Sequence, residues 1–483
     1  MVNCGNCNGV TLMKQIHIVV ATLVFHAVAL AAWTAAAGQE ESSAWDAVQL
    51  KARTDHDNPV SYAIGEPIVF SFETTDVPPE LDPALFAISW TRTGDDGRTA
   101  TGRLPFVPGE TGSVTTSLDR PGFVRLEARV VRTSDGKPVR RIRDAPGAVF
   151  WSRDRKAVRF DGGAGVKVDA ITPEKEAPKD FDRWWAEQRR LLSTVPPKAT
   201  LHELPKVKGC RNYAASVACY GPHPVTGYLF VPDGVPPKSC KAMVSFQGYG
   251  TKVQVNPKWK ASKDTIWFSI NAHGYELGRD KAYYKEFFAG IHPPGLGYAF
   301  SQEENAKPET AYFRWMALRV MRALEFVKTL PEWNGRDLVV KGGSQGGLQA
   351  SWAAGLDHDV TFANVEVVWG CDLYMPSGPR KRLKGSWHIP AAAGLGYFDA
   401  INHIRRAKCP VEIGRAGLGD YTCPPSGLAA YYNAIQGPKS IRWVQGAEHG
   451  VNPQGPNQIF TVSSGLRASG AKAKPMEDTF VGE

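Results

Sequence analysis

The sequence predicts an α/β fold for most of the chain, preceded by a small all-β sandwich of immunoglobulin-like type. Two observations carry this prediction, and the length of 483 residues, too long for one ordinary domain, agrees with it. Between residues 45 and 160, short runs with period-two alternation are split by Gly, Pro and Asp turns, as in a sandwich. From about residue 170 to 470, apolar strands alternate with helical stretches, the mark of a largely parallel sheet covered by helices.

Residues 1–38 come first and read as a secretory signal peptide. Lys14 precedes an apolar run from Ile16 to Ala37, and Ala35-Ala36-Ala37 supplies small residues for cleavage. Met13 starts a more typical signal than Met1 does. The bland reading is a retained membrane anchor. No later segment is apolar for long enough to cross a bilayer, so no membrane contact beyond the export signal is expected. The expected destination is therefore secreted or periplasmic.

Cys4 and Cys7 would leave with the signal. The six that remain are Cys210, Cys219, Cys240, Cys371, Cys409 and Cys423. Export permits disulfides, and Cys210 with Cys219 is the best local pair, the connectivity being otherwise open. The net charge of +9 is spread along the chain, with one dense cluster at Arg380-Lys381-Arg382 and Lys384. That cluster reads as a solvated loop. Without a basic face and a recognisable module, nucleic acid is not an expected partner. Fourteen Trp and fifteen Tyr suit sugar stacking, but they suit ordinary cores equally well.

Within the first domain, residues 67–72, 86–90 and 123–130 are the clearest β runs. The domain holds no cluster of catalytic residue types, so packing, spacing or substrate presentation is its expected role. The Gly-rich stretch 161–165 reads as a joint between domains. Beyond it, strands are expected at 227–231, 242–246, 266–270, 338–341, 365–368, 411–414 and 441–444. The clearest helix spans Glu309 to Lys328. Its stripe of Tyr312, Trp315, Met316, Val320, Ala323 and Val327 is core facing the sheet.

The chemistry concentrates in Gly342-Gly343-Ser344-Gln345-Gly346-Gly347, which lies between an expected strand and a helix. A Ser at such a turn takes a strained conformation that only small neighbours accommodate, and its hydroxyl is lifted toward the cleft. The following helix aims its N-terminus at a developing oxyanion. This is the nucleophile elbow of an α/β-hydrolase catalytic domain. In that fold the acid and the base follow the nucleophile in chain order. Asp420 and His449 each follow a strand and are the expected acid and base. Asp372 is the rival acid. Glu448 is adjacent to the base, and His358, His388 and His403 precede the acid and read as surface or loop residues. The backbone N–H groups of Tyr249, after the strand at 242–246, and of Gln345 are the expected oxyanion donors.

With these residues in view, the sequence resembles the acetyl xylan esterase and cephalosporin C deacetylase family. The resemblance runs from Phe181-Asp182-Arg183-Trp184-Trp185 onward. It is strongest at the Ser344 segment, at Gln247-Gly248-Tyr249, and from Tyr397-Phe398-Asp399 through Cys409-Pro410 and Gly417-Leu418-Gly419-Asp420 to Cys423-Pro424-Pro425-Ser426. It implies removal of O-acetyl groups from carbohydrate, such as acetylated xylan or xylo-oligosaccharides, through an acyl-enzyme, with no metal or cofactor. Members often assemble as hexamers, so a homo-oligomer is implied, although the β-rich appendage bears on that assembly. Three positions depart from the family pattern: Gln247 stands where a His is usual, Asn271-Ala272-His273-Gly274 replaces an Arg-Gly-Gln-Gly type of segment, and Gly450 follows the expected base where Glu is common. They bear on the substrate. The competing readings are a feruloyl or glucuronoyl esterase, a peptidase, and an inactive carbohydrate-binding homologue that keeps the fold.

Overall fold

The structure of the protein is a computed structural model that describes residues 43–148, 154–373, 387–450, 453 and 458–466. The expected signal segment, the Cys4–Cys7 spacing and the cluster at Arg380-Lys381-Arg382 and Lys384 lie outside the described residues. Among the described residues, no helix is long and apolar enough to cross a membrane.

The N-terminal part contains β1 (Gln49–Thr54), β2 (Ile68–Thr75), β3 (Phe86–Gly94), β4 (Ala100–Pro105), β5 (Gly109–Thr116), β6 (Gly122–Arg132) and β7 (Arg159–Val166). They form two antiparallel sheets, ordered β1-β2-β5 and β4-β3-β6-β7. Alternate residues such as Phe70, Phe72, Ile88, Leu126 and Val130 turn into one core shared by both sheets, because side chains two apart on a strand share a face. The stretch 161–165 is not a joint. It is the body of β7, fully paired with β6 and buried. Its glycines answer to close packing rather than to flexibility: a Cβ on Gly162 would stand 2.3 Å from the Gln445 side chain, and one on Gly163 would stand 2.3 Å from the Val124 carbonyl oxygen.

The second part is built on β8 (Ala199–Val207), β9 (Cys210–Val217), β10 (Val225–Pro232), β11 (Cys240–Phe246), β12 (Thr265–Ile270), β13 (Trp333–Gly343), β14 (Phe362–Glu366), β15 (Val411–Gly417), β16 (Lys439–Val444) and β17 (Ile459–Ser464). They make one mixed sheet in the order β17-β16-β15-β14-β13-β11-β12-β10-β9-β8. The run from β12 to β16 is parallel, as the alternating pattern predicts. The margins β8-β9-β10 and β17 are antiparallel, so the sheet is of the mixed α/β-hydrolase type. The helix expected at 309–328 spans Tyr312–Lys328. Met316, Val320, Ala323 and Val327 are buried as the stripe requires, and Tyr312 and Trp315 pack at its edge.

Cys210 and Cys219 are not bridged, and the six cysteines at 210–423 are all free thiols. Cys210 opens β9 and Cys219 lies beyond its end. At about 3.3 Å per residue the extended strand holds the two much farther apart than the ~7 Å that a disulfide spans. The Cys210 thiol instead donates to the Ser262 carbonyl at 2.9 Å.

Candidate functional site

β13 ends at Gly343 and a helix begins at Gln345 (Gln345–Leu356), so Ser344 alone makes the turn, with φ 56° and ψ −124°. A side-chain-bearing residue meets steric cost at positive φ. Here the turn is over-determined. The Ser344 N–H donates to the Glu366 carbonyl at 3.0 Å, and its carbonyl accepts from Leu348 at 3.1 Å and from Trp369 at 3.2 Å. The flanking glycines are needed for proximity. A Cβ on Gly342 would stand 2.2 Å from the Gly346 carbonyl oxygen, and one on Gly346 would stand 2.5 Å from the Phe246 carbonyl oxygen.

That second approach draws the loop after β11 onto the helix that begins at Gln345. Gln349 Nε2 donates to the Gln247 carbonyl at 2.8 Å, which ties the two segments again. Tyr249 and Gln345, the two expected backbone donors, therefore sit on elements that meet beside Ser344. The Tyr249 ring stacks on Tyr298 at 4.2 Å between centroids, and the Tyr298 hydroxyl donates to Gln345 Oε1 at 3.0 Å. Two amide atoms here, Gln247 Oε1 and Gln345 Nε2, are buried with no hydrogen-bond partner among the described residues.

Asp420 is completely buried, in the loop after β15. Its Oδ1 accepts from the backbone N–H groups of Thr422 and Cys423, both at 3.0 Å, which turns Oδ2 toward His449. His449 Nδ1 lies 3.0 Å from that oxygen. His449 follows β16, as Asp420 follows β15, so neighbouring parallel strands deliver the two residues to the same carboxyl edge as Ser344.

Sequence reasoning missed a fourth member. The Cys423 thiol lies 3.7 Å from His449 Nδ1. Burial, reinforced by the Asp420 carboxylate, pushes this thiol well above its usual range, so it stays neutral and is no rival nucleophile. Only its place in the motif after Asp420 hinted at it. Asp420, Cys423 and His449 also gather metal-ligand atoms within 4.8 Å of one another.

The rivals are occupied elsewhere. Asp372 Oδ1 accepts from the Glu174 N–H at 2.9 Å, and burial, together with the Asp372 charge, raises the Asp399 carboxyl well above the usual carboxylate range. Glu448 turns away from His449 and pairs with Arg159. His358 and His388 are exposed. His403, expected near the surface, is instead fully buried, its Nε2 2.9 Å from the Tyr397 carbonyl. The Asn271-Ala272-His273-Gly274 segment is structural. Asn271 Oδ1 accepts from the N–H groups of His273 at 3.0 Å and Gly274 at 2.7 Å, and the buried His273 ring bridges the Tyr312 hydroxyl and the Gly250 carbonyl.

Comparison with known proteins identifies the family. The model of the acetyl xylan esterase family matches residues 166–374 and 388–461, more than half of the chain. Acetyl esterase Axe7A of Xylanibacter ruminicola is 26% identical over 289 residues; the match covers 57% of this chain, and the chain spans only 64% of that relative's length. Among solved structures, an acetyl xylan esterase from a Paenibacillus species shares 27% identity at a TM-score of 0.49, covering 59% of this chain and 93% of that one. Acetyl xylan esterase 1 from a Thermoanaerobacterium species shares 20% identity, also at a TM-score of 0.49, with coverage of 60% and 93%. By the family match over its second part, this chain belongs to the acetyl xylan esterase family.

Proposed function

We propose that the protein is an exported serine esterase that removes O-acetyl groups from carbohydrate, with Ser344 as nucleophile, His449 as base and Asp420 as orienting acid. The observation that carries this reading is the 3.0 Å contact between His449 Nδ1 and the fully buried Asp420, on the loops beside the Ser344 turn. In this mechanism Asp420 holds His449 in the tautomer with its free ring nitrogen toward Ser344. His449 takes the Ser344 proton as Oγ attacks the ester carbonyl. Negative charge then develops on the carbonyl oxygen, where the N–H groups of Tyr249 and Gln345 receive it. The tetrahedral intermediate collapses to acetyl-Ser344, and His449 returns the proton to the departing sugar oxygen. Water, activated by the same His449, releases acetate.

Acetylated xylan or xylo-oligosaccharides are the substrates that the family membership favours. In the same reading, residues 1–38 are an export signal, residues 45–160 an immunoglobulin-like accessory sandwich, residues 170–470 the catalytic domain, and the working form a homo-oligomer.

The test is acetate release from p-nitrophenyl acetate and from acetylated xylan, by wild type and Ser344→Ala. Wild type is expected to turn over both, and the variant neither. An active Ser344→Ala overturns the mechanism, and turnover of the small ester alone overturns the substrate.

A further inference from the structure

β7 and its neighbour β6 do more than close their own sheet, because the loops carrying Asp420 and His449 pack directly on them. On the base side, Gln445 pairs with Gly163 in both directions, accepting from its N–H at 2.9 Å and donating to its carbonyl at 2.8 Å. On the acid side, a Cβ on Gly419 would stand 2.0 Å from the Asp161 carbonyl oxygen, so that loop lies flush against the strand. Ser426, just after the acid loop, donates to Asp95 at the end of β3.

One chain of largely buried charges links both loops. Glu448, the residue before His449, pairs with Arg159. Arg159 lies 3.8 Å from Asp161, and Asp161 is gripped by Arg125 through two contacts, at 2.9 and 2.5 Å. Arg125 also pairs with Glu127 at 3.1 Å, and it stacks over the ring of Tyr421, the residue after Asp420, at 4.3 Å. Ion pairs this deep give little net stability compared with apolar packing, so stability alone is a weak account of them. Their geometric effect is definite: a fixed frame outside the catalytic sheet touches the neighbour of the acid and the neighbour of the base.

We propose that the N-terminal β unit positions the proposed acid and base, with Arg159 as the positioning residue that sets His449 against Asp420 through Glu448. The proposal rests on the reading of Ser344, Asp420 and His449 as the hydrolytic machinery. Without the frame, the loop after β16 would shift, and a displacement of ~1 Å at a reacting centre costs up to ~100-fold in rate.

The experiment compares Arg159→Met and the double variant Arg159→Met/Glu448→Met with wild type in the full-length enzyme. It measures kcat and KM on p-nitrophenyl acetate together with the thermal midpoint. The single variant leaves a buried carboxylate unpaired and is expected to lose stability, whereas the double variant removes that defect. Positioning predicts kcat lowered at least ~10-fold in both, with KM within ~2-fold, even though the double variant melts near wild type. Return of kcat to the wild-type value in the double variant overturns the proposal, since the pair would then serve stability alone. If Arg159→Met fails to fold, the double variant decides by itself. Ser344→Ala in parallel keeps the two claims apart: activity in that variant sinks the proposed function, whereas its inactivity beside a fully active double variant sinks only the positioning role.

Discussion

Ser344 holds a positive φ that most side chains avoid, and three backbone hydrogen bonds keep it there. Such local strain persists only where the surroundings enforce it, and it clusters at functional sites. Asp420 is held in a similar way, by two N–H donors on the oxygen that faces away from His449. Asp420→Asn therefore favours the wrong His449 tautomer and should lower kcat by up to about 10⁴-fold. Asp372→Asn should stay within about 10-fold of wild type, because that carboxylate serves a turn near Glu174 and Asp399. Steady-state kinetics on p-nitrophenyl acetate checks both, and the reverse ordering would move the acid to Asp372. At this scale the place of Ser344 at a strand–helix turn and the meeting of Asp420 with His449 were legible, because chain order and strand ends constrain them. Cys423 was not, since a buried neutral thiol leaves no pattern in sequence beyond its neighbours.

Among the elements, the loop after β11 is held against the helix Gln345–Leu356. Gly346 lets the helix lie against the Phe246 carbonyl, where an added Cβ would stand 2.5 Å away. Gly346→Ala must push that loop off the helix and shift Tyr249 relative to Ser344. The expected result is destabilisation of about 1–3 kcal/mol, the usual cost of overpacking, together with a drop in kcat larger than the change in KM. Chemical denaturation and kinetics on the same preparation measure the two effects. Strand existence was readable from periodicity, but the function of 161–165 was not. Glycines there look like a joint in sequence, and only the packing of Gln445 and Leu418 on β7 reveals why side chains are excluded. The Cys210–Cys219 pairing failed for a similar reason, because closeness along the chain becomes separation once an extended strand lies between the two residues.

Across the whole molecule, two deeply buried histidines tie stability to pH. Burial holds both His273 and His403 near 3, well below the ordinary histidine value. The unfolded chain takes up protons below about pH 6.5 that the folded protein refuses until pH falls to about 3. Stability is therefore full above that window and lost as pH falls through it, by up to about 1.4 kcal/mol per pH unit for each histidine. Urea denaturation of wild type and His403→Gln between pH 7 and pH 4 (roughly the window in question) should show a shallower decline in the variant. An unchanged slope would exclude His403 from the effect. The two-part architecture was legible from the change in texture near residue 170. The contact between the parts was not, because no local pattern announces that Arg159 on β7 meets Glu448 beside the base.

The central claim is that Ser344 carries the acyl group, and peptide mass spectrometry of acid-quenched enzyme tests it most directly. After mixing with p-nitrophenyl acetate, an acetyl adduct is expected on the peptide containing Ser344 and absent from Ser344→Ala, whose turnover should also vanish. An adduct on any other residue, or undiminished turnover by Ser344→Ala, would contradict it.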